Sequence, residues 1–254
     1  MGAVRSDVRR EAAGVPYRLR RSPRARRLRL VLDADGTPLV TVPVRAPDHL
    51  ADAFVESRRD WIGRQRARFV AQRERHLAKG RLGDGGAIDL SGRPHRIEVR
   101  ALEPGRRTRV EHNDAAGPSI RVSISPDDRR TLSEILEAWL RHEARDAVQR
   151  RVAARAPQLG VSPVAVSIRD QRTRWGSASR SGRLSFSWRL VLTPPAVLDY
   201  VVVHELAHLA VFGHTPAFWA LVRSASPDAD RARRWLGEHA LELHWSLEQS
   251  EADG

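Results

Sequence analysis

Basic and apolar residues alternate in Arg27-Leu28-Arg29-Leu30, a period of two that predicts a strand with one buried face. Asp33-Ala34-Asp35-Gly36 reads as a turn and Pro38 to Val44 as a second strand, so a hairpin is expected. From Asp48, read as a capping residue, Leu50, Phe54, Trp61, Ile62 and Phe69 recur on one face of a single helix running to about Leu77. Gly80 to Gly86 ends it. Three alternating stretches between Ala87 and Ser125, AIDLSG, HRIEVRAL and SIRVSIS, predict short strands, with a loop at Asn113 to Pro118. Leu132 to Ala154 reads as a second long helix, its stripe made by Leu132, Ile135, Leu136, Trp139, Leu140 and Val148. Val164 to Ile168 and Arg183 to Trp188 read as two strands around a turn at Ser177 to Gly182. No internal repeat is visible. The class expected is α+β. Residues 1–127 form a β-rich basic region with one long helix, and 128–254 a helical part with a small antiparallel sheet.

Composition narrows the chemistry. The 254 residues include no cysteine, which excludes disulfides, thiolate metal ligands and a cysteine nucleophile. The N-terminal stretch has no apolar run of signal-peptide length. No segment approaches the roughly 20 apolar residues that span a bilayer. The expected location is cytoplasmic, with no membrane partner. Met1 to Ser6 fits a loose myristoylation pattern that we read as chance. The net charge of +13 is carried almost wholly by arginine, Lys79 being the single lysine. Residues 1–80 hold 19 basic against nine acidic residues, a net +10, whereas 199–254 hold four against nine, a net −5. The basic end is a candidate surface for a nucleotide or nucleic acid, against the plainer reading of a solvated, arginine-biased face.

One apolar stretch carries chemistry, Tyr200 to His214 (YVVVHELAHLAVFGH). Thr193-Pro194-Pro195 suits a helix start, the pattern is helical through Phe212, and Gly213 ends it. His204 and His208 are four apart, so both imidazoles lie on one face, one turn apart, and can hold one ion. Glu205 is rotated by roughly 100° from His204 and can take a proton from a water that the ion activates. A catalytic zinc commonly has three protein ligands and one open position, and His214 is the natural third ligand. Thr215-Pro216 would cap a further helix, PAFWALVRSA, that fixes this return of the chain. Glu238, His239, Glu242 and His244 are reserve ligands on the last helix. The His208–His214 spacing is that of metzincins. However, Val211 stands where they have glycine, and the only methionine is Met1, so there is no Met-turn.

Several stretches together resemble the YgjP-like and SprT-like zinc metallopeptidase family: Arg174-Trp175-Gly176-Ser177, Leu184 to Leu192, Asp199 to His208, and Gly213-His214 with Phe218-Trp219. The N-terminal YRLRRSPRARRLRL and Trp61-Ile62 extend the resemblance over most of the chain. It implies a zincin-like catalytic part. His204, His208 and His214 are then the Zn2+ ligands and Glu205 the catalytic base. Ala178 stands where many members have cysteine. Beside the resemblance, Gly176 reads as a place where backbone approaches something closely. Arg174 can hold an anionic group or a carbonyl oxygen. Tyr200, one turn before His204, can support the site or pack. Arg174, Gly176 and Tyr200 are thus the candidate substrate-binding residues, and Arg183 to Trp188 a strand that can pair with an extended substrate. Trp175, Trp188 and Trp219 read as core aromatics. The leading expectation is a zinc peptidase acting on a peptide or protein. The alternatives are a metal-dependent hydrolase of nucleoside triphosphates and a nucleic-acid-associated SprT-like protease.

Overall fold

The computed structural model describes residues 7–33, 36–114, 117–171 and 173–247. Met1 to Ser6, the middle of the expected turn at 33–36 and part of the expected loop at 113–118 lie outside them. The chain divides into two compact units, Met1–Glu74 and Arg75–Gly254.

The first unit carries β1 (Val8–Ala12), β2 (Val15–Ser22), β3 (Arg29–Leu32) and β4 (Pro38–Pro43), followed by α1 (Asp48–Ser57) and α2 (Arg59–Ala78), which runs on into the second unit. The expected hairpin is β3–β4, antiparallel as predicted. A second hairpin, β1–β2, precedes it, and β2 pairs parallel with β4. Val15, Tyr17, Leu19, Val40 and Val42 bury one sheet face against Ala51, Val55 and Ile62. Tyr17 is nearly fully buried, and its hydroxyl donates to Asp52 Oδ1 at 2.7 Å. The expected single helix is broken at Arg58, whose φ of −112° and ψ of 9° leave helical space. Asp48 does not cap it. Pro47 occupies that position, and the Asp48 carboxylate takes Arg10 at 2.7 Å and Arg21 instead. Leu50, expected in the interior stripe, is exposed, while Ile62 and Phe69 are buried.

In the second unit, β5 (Ala87–Leu90), β6 (Arg93–Ala101), β7 (Arg109–Asn113) and β8 (Ser119–Ile124) repeat the strand pattern of the first. The orders β1-β2-β4-β3 and β5-β6-β8-β7 correspond strand for strand. In each, the middle pair is parallel and the outer pairs antiparallel. Each first hairpin turns through a non-glycine residue and a glycine with positive φ, Ala13-Gly14 (51° and 74°) and Ser91-Gly92 (53° and 73°). This is a topological repeat without a sequence repeat. Strand β7 has little alternation to mark it, because His112 and Asn113 interrupt the apolar positions.

α3 (Leu132–Arg155) matches its prediction and is fixed by a capping box between Thr131 and Glu134. Its apolar stripe packs on the core that also holds Ile97, Ile120, Phe186, Trp188 and Val202. β9 (Ala165–Arg169), β10 (Gly176–Ala178) and β11 (Arg183–Ser187) form a small mixed sheet with β11 in the centre. The hairpin is β10–β11, and β9 pairs with β11 in parallel. Three-residue β10 is too short to show a period, so it reads as part of a turn in the sequence. α4 (Pro195–Ala210), α5 (Pro216–Ala225) and α6 (Ala229–Trp245) complete the unit. Thr193 does not cap α4. Pro194 does so without a side-chain bond, and the Thr193 hydroxyl donates to the Leu190 carbonyl at 2.7 Å. α3 is tied to α4 by Arg155, which grips the Asp199 carboxylate at 2.7 and 3.0 Å. No helix of the described residues is long and apolar enough to cross a membrane.

Glu242 on α6 is buried and accepts from Lys79 Nζ at 2.6 Å and from Arg75 Nε at 3.0 Å. Burial alone would raise its pKa, but the Lys79 and Arg75 contacts outweigh this and hold it below the usual carboxylate range. A carboxylate with a depressed folded pKa adds stability that is complete above its unfolded value of 4.5 and lost as pH falls through the folded value. Glu242→Gln should therefore cost about 2 kcal/mol at neutral pH. It should also flatten the loss of stability below pH 4.5, as measured by urea unfolding across pH.

Candidate metal centre

α4 is apolar on nearly every side, and nine of its 16 residues are buried. Such a helix has no amphipathic stripe to set its rotation, which is held instead by the Arg155–Asp199 pair and the packing of its buried side chains. His204 and His208 stand one turn apart on it, with ring centroids 4.9 Å apart. Past Val211 the chain turns through Gly213, whose φ of +79° suits glycine. Thr215 then caps α5, accepting from the Phe218 backbone N–H, and Pro216 fills the first turn. This start of α5 returns His214 to the other two histidines. His204, His208 and His214 offer ligand nitrogens all within 4.8 Å of one another. Fully buried Phe218 holds the group from below, stacked on His208 at 4.4 Å and edge-on to His204 and His214 at 5.0 Å. Trp219 stacks on His214 at 5.7 Å.

The cluster fits a metal. Two nitrogens bound at 2.0–2.1 Å to a tetrahedral ion lie about 3.3 Å apart. His204 Nε2 and His214 Nε2 are 3.2 Å apart. Ligating imidazoles must be neutral. Burial, then the neighbouring His208 and His214, push the His204 pKa down to about 4. Burial and His214 lower that of His208 as well. Three of the four reserve ligands are engaged elsewhere, Glu238 being exposed on α6. Glu242 is ion-paired, His239 stacks on Trp235 at 4.0 Å, and His244 stacks on Trp175 at 5.4 Å.

Glu205 is 6% exposed and lies beside a cleft of about 420 Å³. Burial pushes its carboxyl up to about 7, and the Arg174 guanidinium pulls the other way. The close approach expected at Gly176 is to this residue. A Cβ placed on Gly176 would sit 2.6 Å from Glu205 Cγ and 2.7 Å from Oε1. Arg174, Gly176 and Tyr200, singled out from the sequence, all line the cleft, and Tyr200 meets the His204 ring edge-on at 5.8 Å. Of the three tryptophans expected in the core, Trp188 is fully buried, whereas Trp175 and Trp219 are half-buried at the site, Trp175 in the cleft wall. Arg233, also in that wall, escaped the sequence reading. Its only trace in the sequence is that Arg233, Leu236, Gly237 and Ala240 share one face of α6.

Gly176→Ala should force Glu205 out of place. The expected result is a thermal midpoint several degrees lower, equivalent to about 1–3 kcal/mol. Ser177→Ala, on the opposite face of the same strand, should stay close to wild type in the same melting experiment.

Of the comparisons with known proteins, one gives a match. No curated protein and no solved structure gave a significant match. The family model described as YgjP-like, metallopeptidase domain, matches residues 26–239, which include every histidine and carboxylate of the cluster. A metallopeptidase domain implies a metal ion, and the chain belongs to the YgjP-like metallopeptidase domain family.

Proposed function

We propose that the protein is a zinc-dependent metallopeptidase, with His204, His208 and His214 as metal ligands and Glu205 as general base. The observation that carries this reading is the convergence of three ring nitrogens within 4.8 Å beside the carboxyl that follows the first of them on α4. Three imidazoles, with no fourth ligand beside them among the described residues, are a donor set suited to catalytic zinc. The residues that would perform the chemistry all lie within 128–254, which we take as the catalytic part.

When bound, zinc would supply an acidified water and polarise the scissile carbonyl. Glu205 would accept the proton as the water attacks and return it to the leaving amine. Gly176 leaves that carboxyl the room to stand in the cleft. Arg174 and Tyr200 form the walls against which the substrate is oriented. Phe218 and Trp219 hold the three imidazoles in their rotamers, so little reorganisation accompanies binding of the ion. Hydrolysis of phosphoanhydrides is the second reading, favoured by the two cleft arginines, Arg174 and Arg233. Nucleoside triphosphates therefore belong in the same assay.

Metal analysis by mass spectrometry should find about one zinc per chain in the wild type and little in His204→Ala or His214→Ala. Glu205→Gln should keep the zinc and lose peptide hydrolysis by at least about 100-fold. Full activity in Glu205→Gln would remove the general-base role, and a zinc-loaded protein that releases phosphate from triphosphates but cuts no peptide would favour the second reading.

A further inference from the structure

The charges around the cleft are one-sided. Its lining includes two arginines, Arg174 beside β10 and Arg233 on α6, and a single carboxyl, the buried Glu205. Arg174 precedes β10 and Arg233 lies on α6, so the two guanidinium groups come from different elements that line the cleft, and Arg233 also bears on Asp230. Both side chains are exposed, and neither has a carboxylate within ion-pair distance among the described residues. The acid one turn before Arg233, Asp230, is held by Arg223 at 3.1 Å. Arg233 instead lies over the Trp219 ring, 5.2 Å from its centroid, which braces it beside the histidine cluster.

A second depression of about 480 Å³ continues this character and shares Arg174. It lies on the outer face of the β9–β11–β10 sheet. Ser167, Ser185 and Ser177 stand opposite one another across the three strands, flanked by Arg169 and Arg183. No acidic residue among the described ones lines it. Some arginines of the chain are held by carboxylates, as Arg10, Arg20, Arg75 and Arg155 are; what sets Arg174 and Arg233 apart is that both line one cleft. Two unpaired guanidinium groups in the walls of one cleft, with donors that suit carboxylates, select for negative charge in whatever enters.

We infer that Arg174 and Arg233 form a two-sided clamp that selects acidic peptides, those carrying Asp or Glu next to the bond to be cut. This rests on the peptidase reading and names its substrate class. Arg233 is then a specificity-determining residue that sequence spacing does not reveal.

The test uses zinc-loaded full-length protein and fluorogenic peptide pairs that differ only in Asp or Glu against Asn or Gln beside the scissile bond. Wild type should favour the acidic member about tenfold in kcat/KM, less so as salt rises. Arg233→Glu should abolish or reverse that preference towards peptides with Lys or Arg at the same positions. Arg234→Glu, an exposed neighbour outside the cleft, controls for net charge and should keep it. Equal cleavage of both members would overturn the clamp and leave the peptidase reading standing. Binding of the same peptides to zinc-loaded Glu205→Gln, read by fluorescence anisotropy, separates the remaining outcomes. Preferential acidic binding without cleavage by wild type would uphold the clamp and defeat the peptidase reading. Neither binding preference nor cleavage would defeat both, as would hydrolysis of a nucleoside triphosphate in place of any peptide.

Discussion

The site depends on how closely the backbone at Gly176 approaches Glu205 on α4. A carboxyl in an apolar helix is costly to bury. Here it is accommodated because the strand beside it has no side chain at that position. The contact fixes β10 against α4, and β10 in turn is held in register by β11, with Gly176 opposite Phe186 and Ala178 opposite Leu184. Phe186 and Leu184 are buried in the core that supports α3 and α4. The orientation of one catalytic candidate is thus set by a chain of contacts that ends in the interior of the unit, where packing density leaves little freedom.

Charge is used in two different ways in this chain, and net charge hides the difference. In the first unit several arginines serve the fold. Arg10 binds Asp48 and Asp52, Arg20 binds Asp7, and Arg21 binds Asp48. Together with the Tyr17 hydroxyl, Arg10 holds the Asp52 carboxyl below its ordinary range. These carboxylates are already subtracted in the net +10 of residues 1–80, so the pairs explain how the acids are used and leave the excess itself on the other arginines. Among the described residues the cleft arginines have no such partners.

What the sequence made legible was chemistry with a local period. His204, Glu205 and His208 follow from helical spacing, and His214 from the glycine and the Thr-Pro start that return the chain. The long α3 was readable because 24 residues carry one stripe and a capping box. What stayed hidden depends on distant partners. Strand β10 has three residues, and its role appears only through Glu205, 29 positions later. The break at Arg58 interrupts no apolar periodicity, so one helix was expected where there are two. The parallel pairings β2–β4 and β6–β8 join strands that are not consecutive, and no local pattern encodes them. For the same reason the topological repeat escaped notice: its two copies agree in backbone path and turn conformation and share no sequence signature.

The ion pair of Lys79 with Glu242 and Asp89 has a consequence for protein chemistry. Lys79 is the single lysine of the chain, so its amine is the only side-chain amine that amine-directed reagents or lysine-modifying enzymes can address. In the folded state that amine is protonated and shared between two carboxylates, its pKa raised, and so is a poor nucleophile. The rate at which it is acylated therefore gauges the opening of this corner of the second unit, as a covalent label read at one residue.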